Sequence, residues 1–396
     1  TMSKIEDMCH RYNSLKGSRG NWESHWEEIA ERVLPRQIGF LGARTDGEKK
    51  TQKIFDSRPQ IALDRFASVM DSMLTPRQSK WHNLRTTDEA LNRQFAVQDW
   101  FYQVNNIMHA MRNSPKANFA GQNFERWISM GAFGTGSLFI DFMAGVGLRY
   151  RCVNLRDTFF LENHQGIIDS VYRCFKHTAR QAAQRWGEKN LPERVQKALE
   201  NPQRQNEFFD FLHVVAPRTD YDSGRADARG KPWASYYLSV QDKMLLAPEG
   251  GFTSFPYSIA RYVTAPEEVY GRSPAMTALA DIKMLNEMSK TDIRAVHKLV
   301  DPPILLHDDG ILGGGATTIR MQPGGLNPGG VNRNGQAMIQ PFGTGARVDI
   351  NEQKMDQRRT AIDDAFLVTL FQILVETPRM TATEALIRAQ EKGMLL

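Results

Sequence analysis

A chain of 396 residues has room for two or three domains of ordinary size. Its 41% hydrophobic and 24% charged residues can bury a core, and 30 Gly with 18 Pro is an average share, which excludes collagen-like and globally disordered classes. The 50 Lys and Arg exceed the 45 Asp and Glu by five, and a pI near 9.0 on 45.0 kDa neither requires nor excludes a nucleic-acid partner. Cys9, Cys152 and Cys174 are an odd number without CxxC spacing, which argues against a disulfide framework and fits a reducing compartment. No basic segment followed by an apolar run opens the chain, so no secretory signal is expected. The longest apolar run, Phe366 to Val375, is far too short to cross a hydrocarbon core of ~30 Å, and a soluble protein of cytosolic type with no membrane partner is expected.

The first 135 residues read as helices. Trp22, Trp26, Ile29 and Val33 form one stripe ended by Pro35. Ser57 with Gln60 has capping-box spacing ahead of Ala62, Phe66, Val69 and Met73. Thr86 with Glu89 repeats it and opens a helix carrying Leu91, Phe95, Trp100, Val104, Ile107 and Met111; a fourth helix lies near Asn118 to Gly131. Several such faces need a common partner, and an α-rich bundle is the economical reading.

From Ser137 to Leu245 the period turns to strands: Leu138–Phe142, Leu148–Val153, Ile167–Lys176, Phe208–Val215 and Trp233–Val240. Short helices near Ala179–Trp186 and Pro192–Leu199 interrupt them, and Ala216 to Lys231 reads as a long exposed loop. Next, Ser273 as N-cap and Pro274 at the first helical position open a helix to about Val300, where Asp301-Pro302-Pro303 stops it. Residues 310–345 hold 11 of the 30 glycines, and short strands joined by glycine turns compete there with a disordered linker. A second helix starts near Asp349 or Asn351, with nine charges among Arg347–Asp364. Thr381 with Glu384 caps a last helix in which the sequence stops at Leu396, which suggests a trimmed or partly ordered C-terminus. The fold class expected is α+β and helix-rich.

Chemical motifs are poor. Gly131-Ala-Phe-Gly134-Thr-Gly136 and Gly343-Thr-Gly345 lack the Gly-Lys-Ser/Thr of a phosphate loop, and the first precedes a strand; a tight turn is the better reading. There is no HExxH, no metal-ligand spacing, no GxSxG elbow, and Asp308-Asp309 and Asp363-Asp364 are adjacent pairs whose side chains diverge. Neither cofactor nor metal nor catalytic residue is expected. Lys283, Lys290, Arg294 and Lys298 recur at seven, four and four, near one helix face. A solvated face paired to Glu287 and Asp292 competes with a surface that touches phosphates through charge alone.

Four blocks carry a family resemblance. Ile54-Phe-Asp-Ser-Arg-Pro-Gln60 and its continuation to Pro76, followed by Lys80-Trp-His-Asn-Leu84, is the first. Met130-Gly-Ala-Phe-Gly-Thr-Gly-Ser-Leu-Phe-Ile-Asp141, Tyr270-Gly-Arg-Ser-Pro274 and Arg379-Met-Thr-Ala-Thr-Glu-Ala385 follow in order. Together they resemble the portal, or head-to-tail connector, proteins of short-tailed, T7-like bacteriophages. The resemblance implies a dodecameric ring at one capsid vertex through which double-stranded DNA is packaged and ejected. It implies as partners a terminase, a tail adaptor, and the major capsid and scaffolding proteins, and places the protein in the virion and, during assembly, the host cytoplasm. Mapped onto this chain it gives a wing at 1–270, a first stem helix at 271–300 and a clip at 301–345. A second stem helix at 346–365, a tunnel loop at 366–380 and the start of a truncated crown at 381–396 complete it. On this mapping Lys283, Lys290, Arg294 and Lys298 line the DNA channel, and Gly324, Gly325, Asn327, Asn332 and Arg333 serve docking at the clip. Hydrolysis in that family belongs to the terminase, so the chain is not expected to be an enzyme. The alternatives are a nucleotide-dependent hydrolase resting on Gly131–Gly136 and a monomeric nucleic-acid-binding module.

Overall fold

Trp26, Ile29 and Val33 of the predicted N-terminal stripe are buried and Trp22 is half-buried, and Pro35 follows the helix they belong to. In the computed structural model residues 2–42, 47, 50–143, 145, 147–300, 304–307, 320, 322–331, 334–336 and 348–369 are described. They divide into two compact units. The first holds the described residues of Thr1–Lys50 and Leu63–Thr277, the second those of Thr51–Ala62 and Ala278–Leu396.

The first unit begins with helices α1 (Met2–Ser18), α2 (Gly20–Val33), α3 (Arg58–Leu74, from Leu63 on), α4 (Glu89–Asn92), α5 (Phe95–Asn113) and α6 (Phe119–Phe133). Strands β1 (Thr135–Met143), β2 (Gly147–Val153), β3 (Thr158–Glu162) and β4 (Ile168–Thr178) follow, then helices α7 (Ala179–Trp186) and α8 (Glu193–Glu200). Strands β5 (Phe208–Pro217), β6 (Trp233–Ser239), β7 (Met244–Leu245), β8 (Gly250–Phe252) and β9 (Tyr257–Arg261) complete it. An antiparallel six-stranded sheet runs β3-β4-β5-β6-β7 with β8 beside β6, and a three-stranded sheet runs β2-β1-β9. Alternation along the strands supplies two apolar faces. On one, Ile5, Met8, Cys9 and Tyr12 of α1 meet Phe159, Tyr172, Leu212, Val214 and Leu238. On the other, Ala182 and Trp186 of α7 and Val195 of α8 meet Phe209 and Phe211. Among the expected helices α6 packs Gly131 against Leu63 and Phe66 of α3, while Phe119 of α6 also packs on Leu138 and Tyr150 of the small sheet, and α1, outside that expected set, finds its partner on the large sheet.

Two predicted caps move. The Asp88 side chain, not Thr86, accepts the Ala90 N–H, and the chain breaks between α4 and α5. The Arg58 N–H goes to Asp56 Oδ1 at 2.8 Å. Strands β3 and β9 carry no clean alternation and were not expected. All three cysteines are free, Cys9 fully and the others partly covered; burial pushes the Cys152 thiol up to about 12 and the Cys174 thiol up to about 11.

The second unit contains α9 (Pro274–Val300, from Ala278 on), β10 (Ile304–His307), β11 (Leu326–Val331) and α10 (Val348–Ala365). Ser273 caps α9 as its sequence predicts, its Oγ accepting the Met276 N–H at 3.0 Å. At 27 residues α9 is about 40 Å long. It runs antiparallel to α10: Asp281 takes Arg358 at 2.8 Å, the Ser289 hydroxyl meets the Met355 sulfur at 3.6 Å, and Asn351 donates to Asp292 at 3.3 Å. β10 and β11 pair in parallel in the segment that joins the two helices. Residues 51–62 belong here through polar ties: the Phe55 N–H to Asn286 Oδ1 (2.8 Å), Arg359 to Asp56 (2.8 Å), and Arg58 Nε to Asp363 (2.8 Å). Among the described residues no helix is long and apolar enough to cross a membrane.

Candidate functional site

At 100° per residue Lys283, Lys290, Arg294 and Lys298 fall within an arc of about 80° on α9, nearly opposite the buried stripe of Ala278, Ile282, Leu285 and Ser289. Lys283, Arg294 and Lys298 are exposed and Lys290 is half-buried. Lys290 meets Glu287 at 3.5 Å and rests over the Phe55 ring at 5.6 Å, which is the solvated-face pairing. Asp292 instead receives Asn351. The stripe is thus a cationic edge of α9 with the carboxylate of Glu287 set into it.

In the insert, Gln322-Pro323-Gly324-Gly325 closes a turn through the Gly325 N–H to Gln322 O bond at 3.0 Å. Proline stands at its second position, and Gly324 takes φ +69 at the third, the signature of a type II turn. A side chain at Gly325 would stand 2.9 Å from Arg320 O. Asn327 is buried, accepts the Arg320 N–H and donates to Arg320 O (3.1 Å) and Gly325 O (3.3 Å). Its amide holds the turn in shape, and no donor is left over for a visitor. Asn332 and Arg333 lie outside the described residues, as do the 366–380 loop beyond Thr369 and the 381–396 segment.

The glycine block at 131–136 is a packing device. A Cβ on Gly131 would meet Leu63 and Phe66 at 2.6–2.8 Å, and one on Gly136 would meet Arg126 at 2.6 Å. Gly134 has φ +79 and would press a Cβ to 2.2 Å from Gly271 O. Around this crossing the Gly271 N–H donates to Thr135 Oγ1 (2.9 Å), the Tyr262 N–H to Gly134 O (2.9 Å), and Ser273 Oγ to Ala132 O (2.8 Å). The block also spans the C-terminal end of α6, the end whose carbonyls repel phosphate. Three of the four sequence blocks (54–76 through Leu63 and Phe66, 130–141, 270–274) therefore converge on one junction, where α9 begins.

Elsewhere, His213 is fully buried, stacked on Tyr237 at 4.2 Å and bonded to Tyr257 and Ser235; burial, then Arg173 and Arg185, hold it neutral. An open cavity of about 880 Å³ between Lys80–Arg85 and the α4–α5 segment is lined by both charge signs, including Lys80, Arg93, Glu89 and Asp99. Among the described residues no group of His, Cys, Asp and Glu could hold a metal ion. Arg149, Arg151, Arg173 and Arg185 come together on the first unit; spread over three elements, they form no run or stripe that sequence reading detects.

The family of bacteriophage head to tail connecting proteins matches residues 6–396, nearly the whole chain. The chain belongs to that family. Head-to-tail connecting proteins are structural parts of the virion, and the junction of close-packed glycines suits such a role. A probable portal protein of Bordetella phage BPP-1 is 28% identical over 397 residues, covering 98% of this chain and 70% of its own. A portal protein of Salmonella phage epsilon15 is 27% identical over 401 residues, 99% and 70% of the two.

Proposed function

We propose that this connecting protein is a portal subunit whose copies form a dodecameric ring at one capsid vertex, around a passage for double-stranded DNA. The carrying observation is the antiparallel α9–α10 hairpin with a parallel β-pair in the segment that joins its helices. On this reading α9 and α10 are the stem, and the insert is the clip that takes first the terminase and later the tail adaptor. The wing comprises 1–270, and the tunnel loop and crown follow α10. Lys283, Lys290, Arg294 and Lys298 face the passage and meet phosphates weakly, since tight binding would stall translocation. Energy comes from the terminase, and this chain catalyses nothing. Gly324 and Gly325 give the clip its turn, with Asn327 as the internal clasp and Asn332 and Arg333 as docking groups.

Assembly needs a surface, and α5 supports one. Val97, Trp100, Val104, Ile107 and Met111 recur at three and four, the spacing of a helix-packing seam. Yet Phe95 is 82%, Trp100 59% and Ile107 58% exposed. The side of α5 turned inward is Phe101, Asn105, Met108 and Arg112, so of the expected apolar face Leu91, Phe95, Trp100, Ile107 and Met111 lie at the surface and Val104 is half-buried. These side chains expose several hundred Å², a large part of the ~800 Å² per partner of a stable interface, and a second copy of this chain is the occupant the ring requires. Native mass measurement and negative-stain imaging test the reading. Rings of about twelve 45.0 kDa subunits with a central hole are expected. Monomers alone, even with capsid and scaffolding proteins co-expressed, would overturn it.

A further inference from the structure

The gathered arginines of the first unit hold no ion pair among the described residues, with Asp141 the one acid that acts on Arg151 from nearby. β1 and β2 pair with Phe139 opposite Arg151 and Asp141 opposite Arg149, so all four side chains share one face of the small sheet. Phe139 turns that face toward the large sheet, its ring 5.5 Å from His213 and 4.9 Å from Tyr257. From the large sheet Arg173, opposite His213 on β5, brings its guanidinium 5.8 Å from the Phe139 ring and 5.5 Å from Phe175. Arg185 of α7 reaches the same floor, 5.8 Å from Phe175 and 4.6 Å from Tyr237. Arg149, Arg151 and Arg185 are exposed and Arg173 is half-buried.

Among the described residues none of these four makes an ion pair, whereas Arg58, Arg194, Arg218, Arg261 and Arg272 each hold a carboxylate. Asp141, the nearest acid by register, accepts its own neighbour's N–H from Phe142 at 2.9 Å. The packing around its guanidinium, and then the charges of Arg173, Arg149 and Arg185, hold the Arg151 pKa down against a smaller opposing pull from Asp141, so like charge crowds Arg151. Two of them lie against aromatic rings, a contact that fixes the guanidinium while leaving N–H donors for a ligand.

We propose that this cleft binds phosphate groups. A carboxylate offers two oxygens, enough for one guanidinium fork; a phosphate offers more oxygens and up to two charges, which several forks can share. The phosphate can come from a nucleic-acid backbone or from a free phosphate compound, and the same side chains serve both. The site is separate from the α9 stripe and stands or falls without the portal reading.

The test uses the full chain and a triple variant, Arg149→Gln, Arg151→Gln and Arg185→Gln, which leaves the α9 stripe intact. The probes are inorganic pyrophosphate, a fluorescent 20-bp duplex and poly-glutamate. Pyrophosphate binding is expected to weaken at least tenfold in the variant. If nucleic acid is the source, the slope of log affinity against log salt for the duplex also falls by about 2 to 3; if a free phosphate compound is, the duplex is unaffected. In phosphate-free buffer the variant is expected to melt higher than the wild type, because repulsion is relieved. Unchanged pyrophosphate binding, a lower melting temperature, or poly-glutamate binding that exceeds pyrophosphate and needs the three arginines would each overturn the proposal.

Discussion

Replacing Gly134 by alanine tests whether the junction of sequence blocks holds the first unit together. The residue sits at φ +79, where an L side chain costs about 1–2 kcal/mol. Its new Cβ would stand 2.2 Å from Gly271 O and 2.5 Å from the Gly271 carbonyl carbon, so backbone must move rather than a flexible side chain. That backbone is pinned by the bonds of Gly271 to Thr135 and Ser273 to Ala132, which puts the overpacking at the upper part of about 1–3 kcal/mol. The sum is about 3–5 kcal/mol, against a whole-domain stability of about 5–15 kcal/mol. Gly166→Ala is the control: its φ is +74, but nothing lies within 4 Å, so only the backbone term of about 1–2 kcal/mol applies. Urea denaturation followed by circular dichroism reads both. Gly134→Ala should also lower the melting temperature by about 6 to 20 °C. Equal losses for the two variants would refute the close-crossing argument.

The remaining expectations concern pH, assembly and the passage. His213 stays neutral when folded, while its unfolded counterpart takes a proton below about pH 6.5, so stability should fall by up to about 1.4 kcal/mol per pH unit as the pH drops below that value. His213→Gln should flatten that slope in denaturation curves collected from pH 5 to 7. Trp100→Glu with Ile107→Glu, both on the exposed seam of α5, should abolish ring formation in sedimentation velocity while changing the monomer's melting temperature by less than about 3 °C. Changing Lys283, Lys290, Arg294 and Lys298 together to glutamine should slow packaging or impair DNA retention, measured as DNA per particle; wild-type behaviour would remove the channel role.

Most elements could be read from the residues because their signals are local. The stripe of α2, the Ser273-Pro274 start of α9, α7 and the strands from Phe208 and Trp233 follow from periodicity and caps within a few residues of the element. What escaped depends on distant partners. Residues 51–62 associate with the second unit because Asp56 and Arg58 meet Arg359 and Asp363, some 300 positions on. The exposure of the α5 seam depends on what the small sheet has already covered. The arginine cleft is assembled from β2, β4 and α7, and Asn327, expected to serve docking, shows its part in holding the turn only once its three bonds are seen.

The three cysteines have a consequence for durability. A free thiol with a pKa near 8.5 is a few per cent thiolate at pH 7. At about 12 and about 11, the Cys152 and Cys174 thiols are ionised to only about one part in 10⁵ and 10⁴. Burial raises Cys9 as well. Because the thiolate is the nucleophile that attacks oxidants and disulfides, all three are kinetically quiet. A virion component is made inside a reducing cell and then waits in air and water for the next host. This one should cross that boundary without a change in its covalent structure.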